Sequence, residues 1–206
     1  MLTFSYFNDG NVLVADPITQ DIEGNLYATW VDPAYTLHMS ISRDAGATWS
    51  NPIVIAAPSD GSNLMTYHPV MVHHPKEVGR AGLVYYGSKD GGKTWHGYLA
   101  ETGDISSPAP TFSTVMANPE SEPLQHNLDG HWDQGYYNPF ADCVEYTGAK
   151  YHPVTGDLMG AFAKKMCMDD FISSEKYNVS SCAPGWDFRG KQAESPWQGF
   201  LAFGHH

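Results

Sequence analysis

Apolar and polar residues alternate in short runs along this chain, and helical spacing is scarce. Period-two alternation bounded by turn residues predicts strands. The runs Asn11–Pro17, Asn25–Asp32, Thr36–Ser42 and Pro52–Ala57 predict one antiparallel meander. The runs Tyr67–His74, Ala81–Ser88, Thr94–Glu101 and Pro110–Ala117 predict a second. The two sets correspond. "NLYATWV" at Asn25 is matched by "AGLVYYG" about 56 residues on, and "PIVIAA" at Pro52 by "PTFSTVMA" about 60 residues on. A third unit starts at Asn138–Tyr146 and continues through Gly156–Lys165, with a hairpin turn at Tyr151-His152. Beyond Lys165 the pattern fades to one or two strands near Trp197 to Phe203.

A four-stranded unit recurring about every 40 to 60 residues is the signature of a β-propeller. The fold expected is therefore all-β, built of propeller-type four-stranded antiparallel blades. Residues 1–206 form a single segment, with blade-like units at about 11–57, 67–117 and 138–182 and a long connection at 118–137. About three to four blades of this size make an incomplete ring.

Composition agrees with many short strands and turns: Gly 20, Pro 14, 13% aromatic and 17% charged residues. The net charge of −12 argues against nucleic acid and against an anionic membrane surface, both of which need clustered Lys and Arg. No run approaches the ~18 apolar residues of a membrane-spanning helix. Met1-Leu2-Thr3-Phe4 has no basic n-region and starts no long apolar run, so no signal peptide is visible. Cys143, Cys167 and Cys182 form no CxxC pattern, which gives no support to a zinc or thioredoxin-type motif. Two of them can pair, and the spacing leaves open which. With the sequon Asn178-Val179-Ser180, they lean toward an extracytoplasmic or secreted protein.

"SRDAGATWS" begins at Ser42, between the third and fourth predicted strands. Its Ser42, Asp44, Gly46, Thr48 and Trp49 fill every fixed position of Ser-x-Asp-x-Gly-x-Thr-Trp. This resembles the Asp-box, the repeat found in sialidases and many other β-propellers. The likeness in blade pattern runs roughly from Asn11 to Lys165. Physically the motif holds a turn. Asp44 can accept backbone N–H groups, Gly46 permits positive φ, and Trp49 can fill the gap between sheets. The resemblance implies a structural role for Ser42, Asp44, Gly46, Thr48 and Trp49 on the outer rim, away from the active site. A near-copy at Ser88, Asp90, Gly92, Thr94 and Trp95 falls between the second and third strands of its unit. There it is expected to be a hairpin turn with look-alike chemistry. The position equivalent to the first box is near Thr102-Gly103-Asp104.

The resemblance also implies three arginines gripping a substrate carboxylate, a Tyr–Glu nucleophile pair and an Asp acid/base. The arginines here are Arg43, inside the rim motif, Arg80, in a turn, and Arg189, in the weakly patterned tail. They make no evident triad, so the catalytic residues stay unassigned. If the chain is an enzyme, a glycoside hydrolase of sialidase-like type is expected. The best binding candidates lie in the long connection: His126, Asp129, His131, Trp132, Asp133, Tyr136, Tyr137 and Asp142. Aromatic faces stack on sugar rings while carboxylates and amides grip hydroxyls. The same oxygens could ligate calcium, although no metal ligand set or cofactor is assigned. His68, His73 and His74 gather around one predicted strand, as strand histidines or as a metal or sugar contact. His205-His206 is given no function. Carbohydrate is the expected ligand. Self-association or further propeller blades are the expected protein partners, and a non-catalytic scaffold is the alternative.

Overall fold

The structure is a computed structural model that describes residues 18–57, 64–126, 147–165 and 197–203. Among the described residues every regular element is a strand. The first sheet holds β1 (Ile18–Gln20), β2 (Leu26–Val31), β3 (Leu37–Ser42) and β4 (Ile53–Ala56), in that order. The second holds β5 (Met65–His73), β6 (Ala81–Ser88), β7 (Thr94–Thr102) and β8 (Ser113–Met116). A two-residue strand, β9 (Gln125–His126), pairs with the start of β7. The third sheet holds β10 (Thr147–Tyr151), β11 (Leu158–Lys165) and β12 (Trp197–Phe203). Every pairing is antiparallel.

The all-β meander is thus as expected, and β2 and β6 are both second strands, as are β4 and β8 both fourth strands. Two predicted strands lie outside the described residues, and one detail differs. The first described strand of the first sheet is Ile18–Gln20, and the predicted run Asn11–Pro17 lies outside the described residues. The predicted strand Asn138–Tyr146 also lies outside them, and the first described strand of the third sheet is Thr147–Tyr151. The connection from Asn118 begins inside the second sheet. Asn118 Oδ1 accepts the Gly97 N–H at 2.9 Å, and β9 then continues the fourth-strand track along β7.

The sheets stack face to face with the second in the middle. Alternation along β6 shows why. Ala81, Leu83 and Tyr85 join Tyr27, Leu37, Met39 and Ile41 of the first sheet in one core. Val84 and Tyr86 join Leu158 and Phe162 of the third sheet in another. A strand covered on both faces needs an unbroken apolar run, and all eight residues of β6 are buried. Close approach of the second and third sheets requires glycine: a Cβ on Gly97 would stand 2.7 Å from Phe162 Cζ.

This stack has two distinct ends. The turns β1–β2, β3–β4, β5–β6, β7–β8 and β10–β11 lie at one, the lower end. Arg43 after β3 donates to Ser106 O after β7 at 2.6 Å, and Arg80 before β6 donates to Gly156 O before β11 at 3.2 Å. The turns β2–β3 and β6–β7 lie at the upper end, where Thr66 N donates to Tyr35 O at 3.0 Å. The described sheets do not close into a ring.

Candidate functional site

The first Asp-box turn sits at the lower end, between β3 and β4. Ser42 Oγ donates to Asp44 Oδ1 at 2.8 Å and accepts from Gly46 N at 2.8 Å. Thr48 N donates to Asp44 Oδ1 at 2.8 Å, and Thr48 Oγ1 donates to Asp44 Oδ2. The Thr48 hydroxyl, the Thr48 amide and the Ser42 hydroxyl hold the Asp44 carboxyl down at about 2. Three donors from within the turn thus converge on this carboxylate. Trp49 is only half-buried.

The copy at Ser88 occupies the β6–β7 turn, as the strand pattern required. Its chemistry is more than look-alike. Ser88 Oγ donates to Asp90 Oδ1 at 2.8 Å, Gly92 N to Ser88 Oγ at 2.9 Å, Thr94 N to Asp90 Oδ1 at 2.9 Å and Thr94 Oγ1 to Asp90 Oδ2 at 2.7 Å. The same bonds therefore close turns at opposite ends of the stack. Here the tryptophan does fill the inter-sheet gap: Trp95 is 1% exposed and its Nε1 donates to Gly92 O at 2.8 Å. A third version stands at the position equivalent to the first. Thr102 Oγ1 donates to Asp104 Oδ1, and Thr111 N donates to the same oxygen at 3.1 Å across a longer loop. Phe112 follows where the first box has Trp49, and packs on the core.

At the upper end, aromatic rings gather around Trp95. Tyr35 lies 6.3 Å and Tyr67 6.1 Å from it between centroids. Tyr35 takes φ of 60°, and its carbonyl accepts both Thr66 N and Thr66 Oγ1. The turn is set by Asp32, whose Oδ1 accepts Ala34 N and Thr36 N at 2.9 Å. Asp32 Oδ2 also bonds His38 Nε2 at 2.9 Å, and His38 stacks on Trp30. Next to Tyr67, His68 sits at φ 51° in a β5 bulge, 5% exposed, with both ring nitrogens unpartnered among the described residues. Burial lowers its pKa to about 4, so the ring is neutral.

Of the predicted binding residues, His126 lies in β9, paired with Thr94 of the second box. Asp129, His131, Trp132, Asp133, Tyr136, Tyr137 and Asp142 lie outside the described residues, as do the three cysteines and Arg189. Both roots of that segment are described, and both are at the upper end. β9 runs to the start of β7, and Thr147 Oγ1, which opens β10, donates to His68 O at 2.9 Å.

The lower end holds a polar cluster that sequence reasoning missed. Glu101 Oε1 accepts Arg80 Nε at 2.6 Å and the Tyr151 hydroxyl at 2.9 Å. Arg80 also reaches Glu77, and its guanidinium lies 5.4 Å over the Tyr151 ring. Burial first, and the Glu101 carboxylate second, push the Tyr151 pKa up, so the phenol stays protonated. Burial alone would lower the Arg80 pKa; Glu101 outweighs it and raises it. Tyr151 is 4% exposed, so this Tyr–Glu–Arg group ties the second sheet to the third rather than facing solvent. No spacing rule could have joined residues so far apart in sequence. Nearby, an open groove of about 280 Å³ is lined by Ile41, Arg43, Pro52, Ile53, Ser107 and Pro108, among others. Among the described residues no group of three or more His, Cys, Asp or Glu converges as a metal site, and no helix is long and apolar enough to cross a membrane.

Comparison with protein-family models gives no match, and comparison with curated protein sequences gives none either.

Proposed function

We propose that this chain is a propeller-type module of the Asp-box class that binds glycan at its upper end without cleaving it. The observation that carries the reading is where the aromatic–acidic segment is rooted: beside Thr94 and at His68, opposite the first box. Trp132, Tyr136 and Tyr137 would supply sugar-stacking faces there, and Asp129, Asp133 and Asp142 would supply hydroxyl acceptors. The commitments of the two described arginines argue against a sialidase-type grip on a substrate carboxylate. Arg80 is held by Glu101 and Glu77, and Arg43 by the Ser106 carbonyl, which leaves no carboxylate-gripping set among the described residues. The reading is tested on an array of neutral and acidic glycans, with a fluorogenic sialoside assay run on the same preparation. Binding that falls at least about tenfold in Trp132→Ala, with no turnover, supports it. Turnover above background, or binding indifferent to that substitution, overturns it.

The alternative is an assembly unit whose blades pack on other chains. It is favoured by Ile18 at 45% and Val54 at 54% exposure, both on the face of the first sheet turned from the second. Light scattering decides it. A concentration-independent monomer mass counts against assembly.

A further inference from the structure

Two lower-end turns share one construction. Each starts with His-Pro, at His74-Pro75 and at His152-Pro153. In the first, His74 Nδ1 accepts Lys76 N at 3.3 Å and Glu77 N at 3.0 Å. In the second, His152 Nδ1 accepts Val154 N at 3.3 Å and Thr155 N at 3.0 Å. Each turn is closed by the histidine's own amide, to Arg80 O at 2.9 Å and to Asp157 O at 2.8 Å. Each contains a glycine in the left-handed region, Gly79 at φ 80° and Gly156 at φ 76°.

The two turns also touch. Arg80 of the first donates to Gly156 O of the second, and the His74 ring meets Tyr151 edge-on at 4.8 Å. An Nδ1 that accepts two N–H groups carries no proton, so each ring is neutral with its hydrogen on Nε2. For His74 that nitrogen points to Glu77 Oε1, 3.4 Å away. The corresponding turn of the first sheet uses a carboxylate instead: Asp21 Oδ1 accepts Glu23 N and Asn25 N at 2.9 Å. Burial raises the Asp21 pKa, but the bonds from Asn25 and Tyr27 outweigh it and the net shift is downward.

We propose that the paired His-Pro turns are a proton-operated latch between the second and third sheets, closed when both imidazoles are neutral and opened by acid. A proton on Nδ1 turns the acceptor into a donor facing two donors. Lys76, Glu77, Val154 and Thr155 then lose their partners, and the turns that position Arg80 and Gly156 loosen. The groups facing His74 are Glu77 and Arg80 of its own turn and Tyr151 of β10, with Glu101 of β7 behind Arg80. Of these, Glu77 and Glu101 are carboxylates, Arg80 is a cation, and the Tyr151 phenol stays protonated. The Asp21 turn keeps its acceptor over the whole range.

Hydrogen exchange on the full chain tests this at pH about 7.5 and about 5, the span over which histidine changes charge. After correction for intrinsic rates, Lys76, Glu77, Val154 and Thr155 should lose about tenfold in protection. Glu23 and Asn25 should not. The double variant His74→Asn, His152→Asn offers an acceptor that does not titrate and should hold its protection at both pH values. Imidazole nitrogen NMR at neutral pH should find both Nδ1 atoms unprotonated. Equal loss at the Asp21 turn, no loss in the native protein, equal loss in the variant, or an Nδ1–H tautomer would each overturn the latch. The exchange and tautomer measurements need no variant, so a misfolded variant leaves the test intact.

Discussion

Ala45 takes φ of 56° in the first box, where the second box has Gly91 at φ 74°. The left-handed region is costly for a residue with a Cβ and free for glycine. Ala45→Gly should therefore raise stability by up to about 1 kcal/mol, read as a higher urea midpoint at unchanged slope. The two tryptophans should differ in the opposite sense to their motif quality. Trp95→Ala removes a fully buried indole and its bond to Gly92, and should cost about 4 kcal/mol. Trp49→Ala, at a half-buried ring, should cost clearly less. His68 and His73 give a pH prediction. Burial holds both at about 4, below the ordinary 6.5. The unfolded chain then binds more protons between these values. Their contribution is complete above pH 6.5 and is lost as pH falls toward about 4. His68→Gln should flatten the urea midpoint over that window, and an unchanged slope would refute the assignment.

At the scale of elements, one turn device recurs with different residues. Asp44, Asp90 and Asp104 each take backbone and side-chain donors across a hairpin, and Asp21 and Asp32 do the same in shorter turns. The lowered pKa of Asp44 adds stability that is full above its ordinary 3.8 and lost as pH falls toward about 2. Asp90→Ala should lower stability by about 1 kcal/mol, because its box ends in the core residue Trp95. Asp44→Ala should lower it less, which parallel urea titrations would show. Much of this was legible. Ser, Asp, Gly and Thr at fixed spacing interact within one turn, so their bonds follow from local sequence. The end of the stack on which a box lies does not. That depends on whether the hairpin joins strands two and three or three and four, and only strand counting supplied it. The strand at Ile18–Gln20 was missed because three residues are too few to show alternation. The bulge at His68 was missed because a positive φ at histidine leaves no mark in sequence.

For the whole molecule, the second sheet is the keystone, covered on both faces. Gly97→Val should block the approach of Phe162 and cost more than Gly148→Val, where a Cβ meets only Ala161 at 3.6 Å. Thermal unfolding of the two variants would show the order. The sequence by itself determined an all-β chain, the strand-and-turn order and the chemistry of the box turns, because these rest on period-two alternation and contacts within a few residues. Only the tertiary structure decided that Arg80, Glu101 and Tyr151 meet, and that both roots of the aromatic segment share the upper end. Those facts depend on how one sheet lands on the next. That is a matter of long-range packing through glycines and alternating faces, which no local spacing encodes.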